Sequence, residues 1–311
     1  MKSLFTFTPK TLPPAFKALD CPWFQPASVG PWTIFQAPGC QELVAAYFTN
    51  GARLPDKYWV LTRKNRVWMS LTPVELQSQG YHARLASGNV LVMGLGMGAV
   101  VFNLLRNPKV SHITVCERER EVVTVLTQAA PWFAAAVKSG KVTLNICCAL
   151  AFKPAADQKF ETLLVDIWTA LGQSWAESDV VAMQKRVGAG QVGWWGQELS
   201  LVGWVYENYD DGNRMPFRRD HAQAYEKHLG FRILGSQHPN YPSLLLAAAT
   251  NVAAVMVHKS QPRLGVKDDA VGTGGIRCVT TQPDTGIGED SKGQSLGGRI
   301  ATFFRGFFGC I

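Results

Sequence analysis

Charge is scarce in this chain, and long apolar runs are missing altogether. Only 17% of its 311 residues are Asp, Glu, Lys or Arg, against 47% hydrophobic. That balance supports a packed core over most of the length. No apolar stretch reaches the roughly 20 residues a membrane-crossing helix needs, so no transmembrane segment is expected. The N-terminal MKSLFTFTPK has no long apolar core and no small-residue cleavage site, which argues against a secretion signal, and the cysteine usage suits a cytoplasmic protein. Seven cysteines are present (Cys21, Cys40, Cys116, Cys147, Cys148, Cys278 and Cys310), with no CxxC pair and no His-rich cluster. A metal site is therefore not expected, and the odd number reads as buried free thiols. There is no internal repeat. There is also no long basic run: the net charge of +8 comes from scattered residues such as Arg63, Lys64, Arg118, Arg218 and Arg219. Nucleic acid is not indicated beyond that net charge, which suits a basic solvated surface as well as an anionic partner.

What is present is concentrated at 90–98, VLVMGLGMG. Val90 to Met93 reads as a strand buried on both faces. Gly94, Gly96 and Gly98 make a tight turn, and the apolar Ala99 to Leu105 reads as a helix packing back on the sheet. This is one side of a nucleotide-binding βαβ unit, whose glycines let the backbone turn sharply and a ligand approach it. The next strand, His112 to Cys116, ends at Glu117, about 20 residues past the turn, where a ribose-binding carboxylate belongs. Further strands are expected at Val142–Cys147 and Thr162–Asp166, with a helix over Arg120–Lys138 interrupted at Pro131. Such alternation means a mainly parallel sheet with helices on both faces. Ligands bind at the C-terminal strand ends of such sheets, so Gly94, Glu117, Cys148 and Asp166 converge on one crevice.

Before this unit, strands are expected at Trp32–Gln36, Tyr58–Arg63 and Arg66–Ser70, with helical or turn material at Glu42–Phe48. Thr72 caps a helix over 72–79, with Pro73 in its first turn and Glu75 closing a capping box. After Asp166, helices are expected at Trp175–Val187, Gln197–Tyr206 and Arg218–Leu229, with strands at Gln191–Trp195 and Phe231–Leu234. Leu244–His258 is apolar throughout, and its periodicity leaves a helix and a strand pair both open. From about Ser260 the composition turns to Gly, Thr, Asp and Lys, as in a disordered tail. Its aromatic, basic end, Arg299–Ile311, is either an unstructured terminus or an amphipathic docking segment. The resulting division is an N-terminal arm and small β-rich region over 1–85, a cofactor-binding domain over 86–259 and a Gly-rich tail over 260–311.

VLVMGLGMG, ITVCERE and FETLLVDIW, in this order and spacing, resemble the glycine motif, the acidic second-strand motif and the fourth-strand motif of class I S-adenosylmethionine-dependent methyltransferases. The spermidine-synthase-like branch is the most similar in appearance, since a small β-rich region precedes its Rossmann-like domain. Arg66 to Tyr81 resembles that branch's joining segment. The resemblance implies an α/β, Rossmann-like fold and S-adenosylmethionine as cofactor. It implies that the Gly94, Gly96 and Gly98 turn holds the methionyl part and that Glu117 binds the ribose hydroxyls. Asp166 would lie at the sulfonium end or at the substrate. Cys148 falls where members of the family carry an acid for the adenine amino group, and a thiol is a weak partner for it. Spermidine synthases themselves use an acid within the glycine motif and a second acid soon after the fourth-strand Asp. This chain has Met97 in the first place and Ile167, Trp168 and Thr169 after Asp166, which disfavours aminopropyl transfer. No DPPY-like or NPPY-like motif follows the fourth strand, and the one Pro-Gly-Cys, at 38–40, lies upstream of the domain. The expected reaction is methyl transfer to an unidentified acceptor, small or macromolecular. Asp166 or Glu198 would take its proton, and Trp194 to Leu199 would offer aromatic faces. Two other readings stay open: an NAD-dependent oxidoreductase, since Gly94, Gly96 and Ala99 also fit GxGxxG/A, and a degenerate, non-catalytic Rossmann-like binding protein. The β-rich region offers edge strands through which a homodimer could form.

Overall fold

A computed structural model describes residues 16–39, 43–44, 46–49, 51–209 and 217–260. Cys40 and residues 261–311 of the expected tail lie outside these residues.

The N-terminal part builds an antiparallel sheet in the order β1 (Ala27–Val29), β2 (Trp32–Pro38), β5 (Lys57–Arg63) and β6 (Arg66–Ser70). A small pair, β3 (Leu43–Val44) and β4 (Ala52–Arg53), branches from it, where helical or turn material was expected. The helix α1 (Pro73–Leu85) leads into the second sheet. There the expected alternation is present: β7 (Gly88–Met93), α2 (Ala99–Leu105), β8 (Val110–Glu117), α3 (Arg120–Ala129), α4 (Pro131–Lys138), β9 (Val142–Ile146) and β10 (Thr162–Val165). It continues through α5 (Ala176–Val187), β11 (Gln191–Trp194), α6 (Gln197–Asn208), α7 (Arg219–Leu229) and α8 (Tyr241–Ser260).

All five strands of this second sheet are parallel, in the order β11-β10-β7-β8-β9. Val90 to Met93 and Ile113 to Cys116 are buried throughout, as strands covered on both faces must be. The fold is thus Rossmann-like α/β behind an antiparallel β region. The strand order reverses between β7 and β10, and the crevice at their carboxyl ends is the topological switch point where such sheets bind ligands.

Two cores flank the parallel sheet. One gathers Val90, Val92, Val122 and Val125 with Trp32, Ile34 and Leu61 of the antiparallel sheet, so the two sheets share a core. Hydrogen bonds tie the segment before β1 to α3 and α4 as well: the Gln25 N–H donates to the Ala129 carbonyl at 2.7 Å, and Trp132 Nε1 to the Trp23 carbonyl at 3.1 Å. The other core packs α5 to α8 against Leu91, Met93, Leu163 and Val165.

Three local expectations come out differently, and one left open is decided. The Thr72 side chain makes no capping bond; Glu75 instead accepts from the Ser70 N–H at 3.4 Å. Residues 231–234 form a single parallel bridge, Ile233 to Val192, instead of a strand. The apolar 244–258 is helical, lying within α8. It lacks a polar face as far as Ala249, because Leu244, Leu245, Ala247, Ala248 and Ala249 are all buried. Finally, the reading of the cysteines as buried free thiols fails twice: Cys21 is exposed, and Cys148 is disulfide-bonded. No helix among the described residues is long and apolar enough to cross a membrane.

Candidate functional site

The switch-point crevice is built by backbone before side chains. The Asp166 N–H donates to the Met93 carbonyl at 2.8 Å, and the Gly94 N–H to the Cys116 carbonyl at 2.9 Å. These bonds hold three strand ends level. Gly94 has φ 94°, and a Cβ there would fall on the backbone oxygen of Asp166. Only glycine lets these chains approach so closely. Gly96 (φ 52°) meets the N-terminal sheet instead, where an added Cβ would stand 2.6 Å from Met69 Sδ. That sulfur accepts the Met97 N–H at 3.3 Å, so β6 closes over the turn. Gly98 (φ 69°) starts α2. The crevice holds about 460 Å³ of empty space, counting its open mouth. Met69, Gln79, His82, Gly94, Asp166 and Trp195 are among the residues that line it.

Glu117 ends β8 half-exposed beside the turn. Its Oε2 accepts the Leu95 N–H and its Oε1 the Glu119 N–H, both at 2.9 Å. These two bonds fix the carboxylate's direction. Each oxygen keeps a further lone pair, so the group can still accept from a vicinal diol.

Asp166 lies just beyond β10, with Oδ2 accepting from Gln79 Nε2 at 2.8 Å. Burial pushes its carboxyl up to about 7; the Gln79 bond works against this, and the negative charge of Glu117 adds to it. Glu75, one helical turn before Gln79, presents a second carboxyl from the same face of α1. Its Oε2 is buried without a partner among the described residues. Burial first, and then the charge of Asp166, push Glu75 up to about 8. Glu75 entered the sequence reading only as a capping residue. Both carboxyls have folded values above their ordinary 3.8 and 4.5, so the native state binds the extra protons. The stability tied to them is complete below about pH 4 and is lost as pH rises through about 7 and 8. Asp166→Asn should flatten this fall by at least ~1 kcal/mol in urea unfolding between pH 4 and pH 8. An unchanged pH profile would mean that the carboxyl is hydrated in solution.

Glu198 does not reach this crevice, which corrects its expected place beside an acceptor. It is fully buried at the start of α6, and Tyr47 Oη donates to its Oε2 at 3.0 Å. His82 Nε2 stands 3.3 Å from its Oε1, off the hydrogen-bonding direction, and neither atom has another partner among the described residues. The cause is helical phase: Gln197 and Glu198 both turn inward, and Gln197 Nε2 donates to Tyr241 Oη at 2.6 Å. Trp194 and Trp195 both line the crevice, although Trp194 is almost wholly buried. Trp195 Nε1 donates to Ser78 Oγ at 3.0 Å, which pins its ring to α1.

Cys148, expected at the adenine end of the cofactor, follows β9. Its sulfur is committed to a disulfide, so no thiol is offered there. Among the described residues, no group of three or more His, Cys, Asp or Glu side chains is placed to hold a metal ion.

Residues 78–181, which contain the glycine turn, Glu117, Cys148 and Asp166, match the family model of the spermine/spermidine synthase domain. Over that stretch the chain is spermidine-synthase-like. Spermidine synthase 1 of Pisum sativum is 34% identical over 84 residues, 27% of this chain. The match spans only a quarter of the pea protein (25%). Solved structures similar to this one include a spermidine synthase from Thermotoga maritima, 13% identical, covering 52% of this chain and 53% of its own, with a TM-score of 0.34. A putative methyltransferase from Thermoplasma acidophilum is 18% identical over 33% of this chain and 42% of its own, with a TM-score of 0.26.

Proposed function

We propose that this protein is an S-adenosylmethionine-dependent methyltransferase of the spermidine-synthase-like branch, acting on an N–H or O–H acceptor. The observation that carries the reading is the arrangement at the switch point: a fixed, half-exposed Glu117 carboxylate on one side of the glycine turn and the buried Asp166 carboxyl on the other. The cofactor fits this donor set at its ribose, where Glu117 has lone pairs to spare for both hydroxyls. It does not find a side-chain acid at the adenine rim, so recognition there falls to backbone groups around Cys148. When bound, S-adenosylmethionine supplies a methyl group already activated by its sulfonium, so the protein's task is largely placement.

The chain's own residues divide that task. Glu117 and the glycine turn orient the ribose and methionyl parts. Asp166, poised near neutral pH and held by Gln79, accepts the acceptor's proton. Burial, with the charge of Glu117, keeps that carboxyl from being a permanent anion. Trp195 offers a flat face to the acceptor, and Met69 shields the turn from water. Aminopropyl transfer is the second reading, favoured by the family matched over 78–181. Met97 and Ile167 stand where that reaction needs acids to hold a polycationic amine.

Calorimetric titration with S-adenosylmethionine, its decarboxylated form and NAD separates the readings. Micromolar affinity for S-adenosylmethionine, at least tenfold above the other two, is the expected result. Preference for the decarboxylated form would establish the aminopropyl reading instead. Binding of NAD alone would replace both with an oxidoreductase, and binding of none would leave a non-catalytic relative.

A further inference from the structure

The carboxyl ends of β8 and β9 carry two cysteines that the proposed chemistry does not use. Cys116 is the last residue of β8 before Glu117, and Cys147 follows β9 directly. The register pairs Glu117 with Ile146, which sets the two cysteines diagonally across neighbouring strands. Their sulfurs face each other: Cys116 Sγ is 2.7 Å from Cys147 Sγ, and the Cys116 thiol also donates to the Cys147 carbonyl at 3.2 Å. Cys147 packs against the same core that takes in Cys116.

We propose that Cys116 and Cys147 form a reversible disulfide beneath the glycine turn. The two thiols have different roles in its formation. Cys116 is 1% exposed, whereas Cys147 is half-buried and reachable from solvent. Burial, the neighbouring Cys147 and the charge of Glu117 all hold the Cys116 thiol protonated. Cys147 therefore reacts first. As a thiolate it attacks one sulfur of a low-molecular-weight disulfide; a Cys147–S bond forms, the oxidant's S–S bond breaks and one thiolate leaves. Cys116 then gives its proton to solvent and attacks Cys147 Sγ. The Cys116–Cys147 bond forms and the second thiolate departs. The pair loses two electrons and two protons, and the oxidant becomes two thiols. The Cys147 N–H donates to the Glu117 carbonyl at 2.9 Å, and Cys116 precedes that residue directly. The disulfide thus clamps both flanks of the carboxylate that faces the crevice. None of this depends on the methyltransferase reading.

The test uses the full chain, reduced with dithiothreitol and then exposed to oxidised glutathione, with free thiols trapped by N-ethylmaleimide. Trypsin releases Cys116 in the peptide 110–118 and Cys147 in 142–159. The expected result is these two peptides joined by one disulfide, with Cys148 of 142–159 carrying either its own disulfide-linked peptide or a maleimide. Fragment ions should place the bond on Cys147 rather than Cys148, and dithiothreitol should reverse it. Cys147→Ser should abolish the link. Cys148→Ser should keep it, and if that variant fails to fold, the wild-type fragment ions decide. Trapped maleimide on both Cys116 and Cys147 after oxidation would overturn the proposal. So would glutathione left unresolved on Cys147, or a Cys116–Cys148 bond.

Discussion

Glu117→Ala is expected to weaken S-adenosylmethionine binding by about a hundredfold while leaving the protein folded. A carboxylate that accepts two hydroxyl hydrogens makes two charge-assisted bonds, each worth ~1.5–3 kcal/mol before water reclaims part of it. A net loss of ~2.7 kcal/mol is two powers of ten in affinity. The Glu117 carboxylate is suited to this because its direction is set before any ligand arrives, by the Leu95 and Glu119 N–H groups. Little ordering remains to be done on binding. The fold should tolerate the change, since Glu117 is half-exposed and water can replace its backbone bonds. Glu117→Gln sharpens the test: it keeps the shape but loses the charge and one acceptor oxygen, so its affinity should fall between wild type and alanine. Calorimetry with both variants, alongside a thermal melt, is the check. A change of less than threefold in Glu117→Ala, with the melt unaltered, would remove the ribose role and with it the main support for the cofactor assignment.

That carboxylate was legible in the sequence because of where it stands. A run of apolar residues long enough for one buried strand, ending in an ionisable one, marks the ligand-facing end of a parallel sheet. Ile113–Cys116, before Glu117, and Leu163–Val165, before Asp166, fit that pattern, Val90–Met93 runs instead into Gly94, and the order of the three strands points to the fold class. The residues that complete the crevice carry no such mark. Gln79, Glu75 and His82 sit on α1, whose buried side includes Gln77, Ser78, Gln79 and His82. A helix with polar residues inside shows no apolar stripe, so periodicity is silent about which face is buried. The density of amide, hydroxyl and imidazole in ELQSQGYH, on the helix that precedes β7 and its glycine turn, is itself the usable signal. Met69 was read only as part of a strand, because its contact with Gly96 spans two sheets. The disulfide of Cys148 was beyond reach for a different reason: spacing alone does not fix the connectivity of seven cysteines.

Glu198→Ala should cost about 3–5 kcal/mol of stability, the largest effect expected of any single change at the crevice or behind it. The carboxylate is fully buried, so removing it leaves its partners stranded and lets no water in. Tyr47 Oη would lose its acceptor, and His82 Nε2 would have none at all. Tyr81 and Tyr241 also face this charge; burial, and then Glu198, push both phenols upward and keep them protonated. The cluster joins α1, α6 and α8 to the segment at 46–49, and no apolar substitute at position 198 satisfies it. Glu198→Gln retains an acceptor for Tyr47 and should lose only about 1–2 kcal/mol. Urea unfolding of both variants checks this, and a loss below ~1 kcal/mol for alanine would mean that water reaches the cluster. The same pair of variants decides what Glu198 does. A proton acceptor in the reaction would show Glu198→Gln folded at wild-type stability yet inactive. A residue that positions His82, and through it one wall of the crevice, would show stability and activity falling together, and more steeply in alanine than in glutamine. The burial of the Glu198 side chain favours the second outcome, and Asp166, which lines the crevice, is the acid to test for proton transfer.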